Sequence, residues 1–438
     1  MNTFRLRKDL NADALLSLLR KEFEKIPDTR PQPIIPLADA LMSGFALFSL
    51  KDPSLLAFQE HRADATIKNL YHIGTIPSDT NMRDIIDEVD PDSLMRIFKK
   101  IMALVQRGKG LEDMPFYDGH YLISNDGTGY FSSDSIHCDD CLIKKHAKGI
   151  EYHHSFLGSV MVHPKHKTVL PLCPEPIKKS DGQAKNDCEQ NASKRWAERF
   201  RREHPHMKAI IVEDALSSTA PHIQMLKEHD LRYIIGIKPK SHKYLFALLE
   251  DATQEKQTHI MTDADGTLHE YRFMNDVSLN ESQLDTKVNV IDYWETKPAK
   301  GKCKEKRQHF SWVTDIAVTR ENVALLATGG RSRWKIENET FNTLKNQGYH
   351  FEHNFGHGNK HLSTVFALLM MLAFLVDQIQ QKCCPVFQAA WAECGNKRTL
   401  WERIRSLIKT AEIYFDRVLT SMVEVLSMIA RGKRSISP

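Results

Sequence analysis

The sequence has no hydrophobic run long enough to cross a membrane. Its longest candidate, residues 365–376, reads VFALLMMLAFLV and has 12 residues, whereas a spanning helix needs about 20. No apolar run follows the first residues either, so the pattern of a secretory signal is missing. We therefore predict a buried core helix at 365–376, a cytoplasmic protein and no membrane partner.

Cysteine is scarce, and neither sign of charge dominates. Eight cysteines in 438 residues are too few for a disulfide scaffold, so we expect free or metal-bound thiols in a reducing compartment. The 60 basic and 56 acidic residues leave a formal net charge of +4, which permits a nucleic-acid partner only if the basic residues cluster. The hydrophobic content of 41% is that of an ordinary globular protein.

Hydrophobic periodicity divides the chain into five regions. Residues 1–112 contain short amphipathic helices, which could form a DNA-binding module or a plain helical bundle. Residues 113–240 alternate strands with helices, which is the order of a mixed α/β sheet. Residues 241–320 predict a β-rich insertion, helical character returns over 321–360, and residues 361–438 are mostly helical.

Three acidic residues lie where an α/β sheet usually places its ligands. Asp126 and Asp214 each fall at the C-terminal end of a predicted strand, and Glu337 falls on a predicted helix. Carboxylates that converge from different elements can hold two Mg²⁺ or Mn²⁺ ions, which prefer oxygen ligands and promote phosphodiester chemistry. Spacing alone does not choose these residues, since a single strand-end Asp is more often a cap or turn residue. Other acids lie close by and compete for the same role: Asp118, Asp134, Glu213 and Glu339.

Three segments together resemble the DDE-type transposases of bacterial insertion sequences. The segments are LISNDGTGYFSS at 122–133, IIVEDAL at 210–216 and RWKIENETFNTLKNQGY at 333–349. The branch resembled has a β-strand insertion before its last catalytic acid and a Tyr-Arg-Glu-Lys signature around that acid. The resemblance covers residues 75 to 360 approximately. It implies an RNase H-like mixed sheet flanked by helices, with the β-rich insertion before the last catalytic helix.

The resemblance assigns roles to individual residues. Asp126, Asp214 and Glu337 become the catalytic metal ligands, and Arg333 and Lys345 become the signature cations that contact the DNA end. On an ideal helix Arg333 and Lys345 fall about 40° and 80° to either side of Glu337, so the three side chains share one broad face. Ordinary i,i+4 pairing of Arg333 with Glu337 is the alternative interpretation.

Two positions depart from the signature, and one aromatic residue has two interpretations. Gly330 occupies the position of the signature Tyr, and one extra residue separates Glu337 from Lys345. A π-bulge in the helix would absorb the extra residue. Trp312, on a strand of the insertion, matches an aromatic residue that in this family helps to form a DNA hairpin at the transposon end. Core packing is the alternative for Trp312.

A second group of residues has the types that bind zinc. Cys138 and Cys141 form a CxxC pair, with histidines nearby at 137, 146, 153 and 154. A structural zinc site needs four such ligands, and Cys173 and Cys188 are candidates to complete it. Free thiols in a polar loop are the alternative. The segment HNFGHG at 353–358 predicts a tight turn, to which we assign no chemistry.

Together these features predict a cut-and-paste transposase. It would cleave transposon ends by metal-dependent hydrolysis and join them to target DNA, acting as a homodimer on double-stranded DNA in a bacterial cytoplasm. Basic faces at 194–202 and 297–307 could follow phosphates, although ordinary solvated charge is the alternative. Two other functions stay open: a domesticated or inactive DNA-binding protein derived from a transposase, and an RNase H-like nuclease that cuts without joining.

Overall fold

Short capped helices open the chain. The fold is given by a computed structural model that describes residues 7–147, 149–179, 189–299 and 304–408. Its first helices are α1 (Ala12–Phe23), α2 (Leu37–Leu50), α3 (Leu55–Gln59), α4 (Ala65–Leu70), α5 (Asp79–Asp87) and α6 (Pro91–Arg107), with a 3₁₀ turn at Glu60–Ala63. Several begin where a polar side chain accepts a backbone N–H of the first turn, as Ser78 does for α5 and Asp90 for α6.

A large, mostly antiparallel sheet forms the centre of the fold. Its first strands are β1 (Pro115–Tyr117), β2 (His120–Ser133), β3 (Leu142–His146), β4 (Gly149–His163), β5 (His166–Pro171) and β6 (Glu175–Ile177). Strand β4 pairs antiparallel with β2, β3, β5 and β6, and β1 pairs with β2. Strands β4 and β5 form a hairpin that turns at residues 163–166, where His163 pairs with His166.

Two further strands run parallel to β2 and make the sheet a mixed one. Helix α7 (Glu189–Glu203) precedes β7 (Ala209–Glu213), and helix α8 (Ala220–Glu228) precedes β8 (Arg232–Gly236). Strand β7 is parallel to both β2 and β8, and every residue of β7 is buried. The apolar run before Glu213 predicts such a strand, covered on both faces. The predicted mixed α/β sheet is therefore confirmed.

The region predicted as a β-rich insertion extends the same sheet. It contains a helix that the sequence pattern did not predict, α9 (Lys243–Glu250), followed by β9 (Gln257–Thr262), β10 (Leu268–Asn280), β11 (Gln283–Lys297) and β12 (Lys306–Thr314). Strand β12 pairs antiparallel with β8, so the strand order is β3-β4-β2-β7-β8-β12-β11-β10-β9. The sheet stays open and is flanked by helices.

Helices return after β12 and complete the described chain. They are α10 (Val323–Arg331), a π-helix (Ile336–Phe341), α11 (Asn342–Asn346), α12 (Leu362–Cys383), α13 (Pro385–Cys394) and α14 (Lys397–Ile408). The 12-residue run lies within α12, which is long and apolar enough to cross a membrane, so the length argument made from the run alone is wrong. However, 94% of the most apolar stretch of α12 is buried within the fold. It packs against α2, α6 and β5. Residues 365–376 thus belong to a buried core helix, as predicted.

Candidate functional site

Asp126 and Asp214 lie on neighbouring segments of the sheet, just beyond the point where the parallel pairing of β2 and β7 stops. The pairing ends at Ser124 and Val212, and each aspartate lies two residues further along. Strand β2 continues to Ser133, paired with β4. Asp126 therefore lies in the middle of a long strand, which corrects the sequence-based strand end. The two aspartates still lie side by side, because neighbouring strands are about 4.8 Å apart.

Residues 332–346 follow α10 and form the Glu337 segment, which brings Glu337 close to Asp126. Arg333 Nη1 lies 2.8 Å from Glu337 Oε1 and 3.4 Å from Asp126 Oδ2, so one guanidinium joins the two carboxylates. Ser124 Oγ donates a hydrogen bond to the backbone oxygen of Arg333 at 3.3 Å. Ser124 and Asp126 share a face of β2, because side chains alternate along a strand. The Glu337 segment therefore crosses the sheet face that carries Asp126.

The acids at this edge influence one another. Burial raises the pKa of Asp126 to about 6; Arg333 opposes this shift, while Glu337, Glu189 and Asp214 add to it. A cavity of about 660 Å³ opens where the pairing of β2 with β7 stops and is lined by Asp126, Asp214 and Glu189, among others. Arg333 and Glu337 are not part of that lining. Acids held together in this way disfavour their own charge and attract cations.

Glu213, the nearest rival of Asp214 in the sequence, is engaged in packing. Its side chain is buried, with Oε2 2.6 Å from His222 Nε2 on α8 and Oε1 accepting a hydrogen bond from Asn125 Nδ2 at 3.1 Å. Although burial alone would raise it, the pKa of Glu213 is lowered by His222 and these hydrogen bonds. Asp214 Oδ1 instead accepts only a local backbone bond, from Leu216 N at 2.8 Å, among the hydrogen bonds of the described residues. The structure thus distinguishes two adjacent acids that spacing could not.

Two residues near the carboxylates were missed in the sequence. Glu189 begins α7 and lies over Gly127, where an added Cβ would come within 2.2 Å of Glu189 Oε1. Lys335 is buried, and its Nζ donates to the backbone oxygens of His163 at 2.6 Å and Pro164 at 3.2 Å. This lysine fastens the Glu337 segment to the β4–β5 turn. No local pattern marks either residue, since both depend on contacts between distant segments.

A π-helix, Ile336–Phe341, accommodates the extra residue before Lys345. A π turn holds more residues than an α turn, so it rotates Lys345 back towards the Glu337 side of the segment. Phe341 lies over Gly158 of β4, where an added Cβ would come within 2.9 Å of the ring, and this close approach brings the π-helix onto the sheet. Lys345 Nζ lies 2.7 Å from Glu352 Oε1. Its contact with DNA stays a prediction.

Trp312 explains why glycine stands at position 330. The indole is 5% exposed and stacks with Phe310 and Tyr293 at centroid distances of 5.9 and 6.3 Å. A Cβ added at Gly330 would lie 2.5 Å from two indole atoms, so this position has no room for the signature Tyr. A DNA contact by Trp312 stays a prediction, but the core-packing alternative fits its burial better.

Substitution of Gly330 by alanine is expected to destabilise the protein. Alanine favours a helix by about 1 kcal/mol over glycine, but overpacking a tight site costs about 1–3 kcal/mol, and the 2.5 Å approach to Trp312 makes the steric cost dominate. Urea unfolding of Gly330→Ala measures the net effect. Gly129→Ala, with its nearest neighbour 3.6 Å away, is the control and should change little. A Gly330→Ala protein more stable than the wild type would contradict this packing.

The arginines of the predicted basic face on α7 hold backbone carbonyls and acids. Arg199 is buried, and its Nη2 donates to the backbone oxygen of Pro174 at 3.1 Å. Arg195 Nε lies 2.9 Å from Glu175 Oε1, and Arg201 Nε donates to the backbone oxygen of His229 at 2.8 Å. These contacts position α7, so these three side chains are neither simply solvated nor free to follow phosphates, whereas Lys194 and Arg202 of the same face are exposed. Residues 300–303 of the second basic segment lie outside the described residues.

The residues near the CxxC pair separate into members and non-members of one cluster. Cys173, a candidate fourth ligand, lies elsewhere, buried and with its carbonyl bonded by Arg199; that assignment is wrong. Cys188 lies outside the described residues. His137 stacks on an aromatic ring, and His146 is paired with an acid. The residues that gather are Cys138, Cys141, His154 and His357.

The chain matches no protein-family model and no curated protein.

Proposed function

We propose that this protein is a DDE-type transposase that cuts the ends of its element and joins them to target DNA. The observation that carries the proposal is the gathering of Asp126, Asp214 and Glu337 at one edge of the sheet. These acids come from β2, from the end of β7 and from the π-helix. They are 88 and 123 residues apart in the sequence, yet Asp126 responds electrostatically to both of the others.

The strand order supports an RNase H-like core. Strands β5, β4 and β2 form an antiparallel meander, β7 follows parallel to β2, and β8 follows parallel to β7. Numbered along the chain, these five strands have the spatial order third, second, first, fourth, fifth, which is compatible with the RNase H-like mixed sheet that the resemblance implies. Asp126 lies on the first of these strands and Asp214 directly follows the fourth. Strands β9–β12 are then the β-rich insertion, placed against the fifth strand.

The donor set fits two divalent cations of the Mg²⁺ type. Asp126, Asp214 and Glu337 offer carboxylate oxygens, the ligands that Mg²⁺ and Mn²⁺ prefer. When bound, such ions activate the attacking oxygen and stabilise the leaving oxygen of a phosphodiester. Arg333 contacts both Asp126 and Glu337, and its fork of N–H donors matches a phosphate equally well. Lys335 holds the Glu337 segment against the β4–β5 turn.

DNA would be held by residues of the Glu337 segment. Arg333 and Lys345 are the cations that we propose for the backbone of the element end. Trp334, next to Arg333, is 44% exposed and presents an aromatic face that a base could stack on. Cleavage and joining at two ends would require a homodimer on paired double-stranded ends.

The proposal is tested with a supercoiled plasmid that carries the DNA flanking both sides of the coding sequence. We expect the purified protein to cut at the borders of the flanking repeats and to join those ends to a target plasmid. Both reactions should require Mg²⁺ or Mn²⁺ and stop with a chelator. A plasmid with scrambled borders is the matched control.

The other outcomes identify the other functions. Binding to the borders without cleavage, with Mg²⁺ or Mn²⁺ present, would indicate an inactive DNA-binding protein. Cleavage without any joined product would indicate a nuclease. Either result overturns the proposal.

A further inference from the structure

Four metal-binding side chains meet away from the carboxylates. Cys138 and Cys141 lie on the connection between β2 and β3, His154 lies on β4, and His357 lies on the segment before α12. Their ligand atoms are all within 4.8 Å of one another. His357 is 216 residues from Cys141, so the cluster arises from the fold and not from a local motif.

The distances between the ligand atoms are those of a tetrahedral zinc site. The two sulfurs are 3.9 Å apart, three of the four sulfur–nitrogen distances are 3.3–3.4 Å, and the two Nε2 atoms are 3.1 Å apart. Zinc bonds of ordinary length in a tetrahedron place two sulfurs about 3.8 Å apart, sulfur and nitrogen about 3.5 Å, and two nitrogens about 3.3 Å. These five distances agree to within a few tenths of an ångström, and all four ligand atoms lie within 4.8 Å of one another. We infer that Cys138, Cys141, His154 and His357 bind one structural zinc ion.

The side chain of His357 is oriented for this role. Its Nδ1 lies 2.9 Å from the backbone oxygen of Gly358, and because that oxygen can only accept, Nδ1 carries the proton. Nε2 then presents its lone pair to the cluster, as in zinc sites where a carbonyl fixes the tautomer. The segment that carries His357 is held independently, since Asp87 accepts backbone N–H groups of residues 359 to 362.

The surroundings suit a buried, neutral metal centre. Cys141, His154 and His357 are buried, and the ring of Phe131 lies 4.5 Å from the His357 ring. On binding, the two thiols release their protons to solvent, so that two thiolates balance the charge of Zn²⁺. All four positions are filled by protein groups, which marks a structural site and not a catalytic one.

The site joins two parts of the fold. Its cysteines and His154 belong to the sheet edge formed by β3 and β4, and His357 belongs to the connection between the Glu337 segment and α12. An ion held there would cross-link the sheet to the helical part of the protein, and its binding free energy would add to folding. This role does not depend on DNA cleavage.

The inference is tested by metal analysis of the full-length protein purified without added metal. We expect one zinc ion per chain in the wild type, and loss of that zinc in Cys141→Ser and His357→Ala. Cys394→Ser and His353→Ala are the matched controls: His353 is exposed in the same segment as His357, and Cys394 lies outside the cluster. Both controls should keep their zinc.

A second measurement on the wild type guards against variants that fail to fold. The protein refolded with Co²⁺ should show the visible bands of tetrahedral cobalt and the near-ultraviolet thiolate absorption of two cysteines. It should also unfold at a higher temperature than the metal-free protein. Wild-type protein without zinc and without this cobalt spectrum would overturn the inference, as would zinc retained at the wild-type level in both ligand variants.

Discussion

Asp126→Asn is expected to abolish DNA cleavage while leaving binding to the element ends intact. The substitution preserves the shape of the side chain but removes one of the carboxylates proposed to hold the ions. Loss of a metal-centred stabilisation of several kcal/mol corresponds to a rate lowered by about 10³-fold or more. Single-turnover cleavage of a labelled end, with binding followed separately in Ca²⁺, measures both quantities. Glu337→Gln should behave in the same way.

Matched substitutions at neighbouring acids serve as controls. Asp118→Asn changes the turn before β2, and Glu339→Gln changes the same π-helix two residues from Glu337; both should cleave at close to the wild-type rate. The Asp126→Asn protein should also keep its thermal stability without metal, because burial and neighbouring acids raise the pKa of Asp126 to about 6 and so make its charge unfavourable at neutral pH. It should lose the stabilisation that Mg²⁺ gives the wild type. Cleavage by the Asp126→Asn protein at the wild-type rate would contradict the assignment. An equal loss of cleavage in the two control variants would contradict it as well.

Asp377→Asn is expected to cost about 3–5 kcal/mol of folding free energy, because it leaves a buried lysine without its counter-charge. Lys51 follows α2, and Asp377 lies on α12; their side chains are 1% and 8% exposed and form an ion pair. The hydroxyl of Tyr349 donates to the same carboxylate, and Lys51 Nζ lies 3.6 Å from the centre of the Trp401 ring. Burial lowers the pKa of Lys51 to about 8 even though Asp377 opposes this shift. Urea unfolding measures the loss.

A double substitution separates the charge effect from packing. Lys51→Met combined with Asp377→Asn should recover much of the lost stability, because no unpaired charge is then buried. Glu402→Gln, which breaks an i,i+4 pair with Arg398 whose side chains are 50% and 83% exposed, is the control and should cost under about 1 kcal/mol. If Asp377→Asn alone lowered the free energy of unfolding no more than this control does, the buried pair would contribute little to stability.

Local patterns in the sequence were enough to predict most strands and the core helix. Alternation and apolar runs predicted the strands that the structure shows as β4, β5, β7 and β8, and the apolar run at residues 365–376 predicted the core helix that became α12. The same patterns could not show that β12 pairs with β8, because strand partners are chosen by contacts between distant segments. They also gave β2 too early an end, since the three residues after Asp126 are glycine or threonine, although β2 stays paired with β4 as far as Ser133.

At the candidate site, the sequence supplied the residues but not their selection. Asp126 and Asp214 were chosen over their neighbours by resemblance, whereas the structure provides a physical reason for one choice by pairing Glu213 with His222. The π-helix was anticipated from a one-residue excess in spacing. The zinc cluster could not be completed from the sequence, because His357 is far from the CxxC pair in the chain and the nearer Cys173 is held in another part of the fold.

The central claim is that Asp126, Asp214 and Glu337 together hold two divalent ions on a DNA end. The most direct test is the anomalous diffraction of Mn²⁺ in crystals of the protein bound to its element end. We predict two manganese peaks about 4 Å apart, each with oxygen ligands from these three side chains. Manganese bound elsewhere, with the three carboxylates free of metal, would contradict the claim.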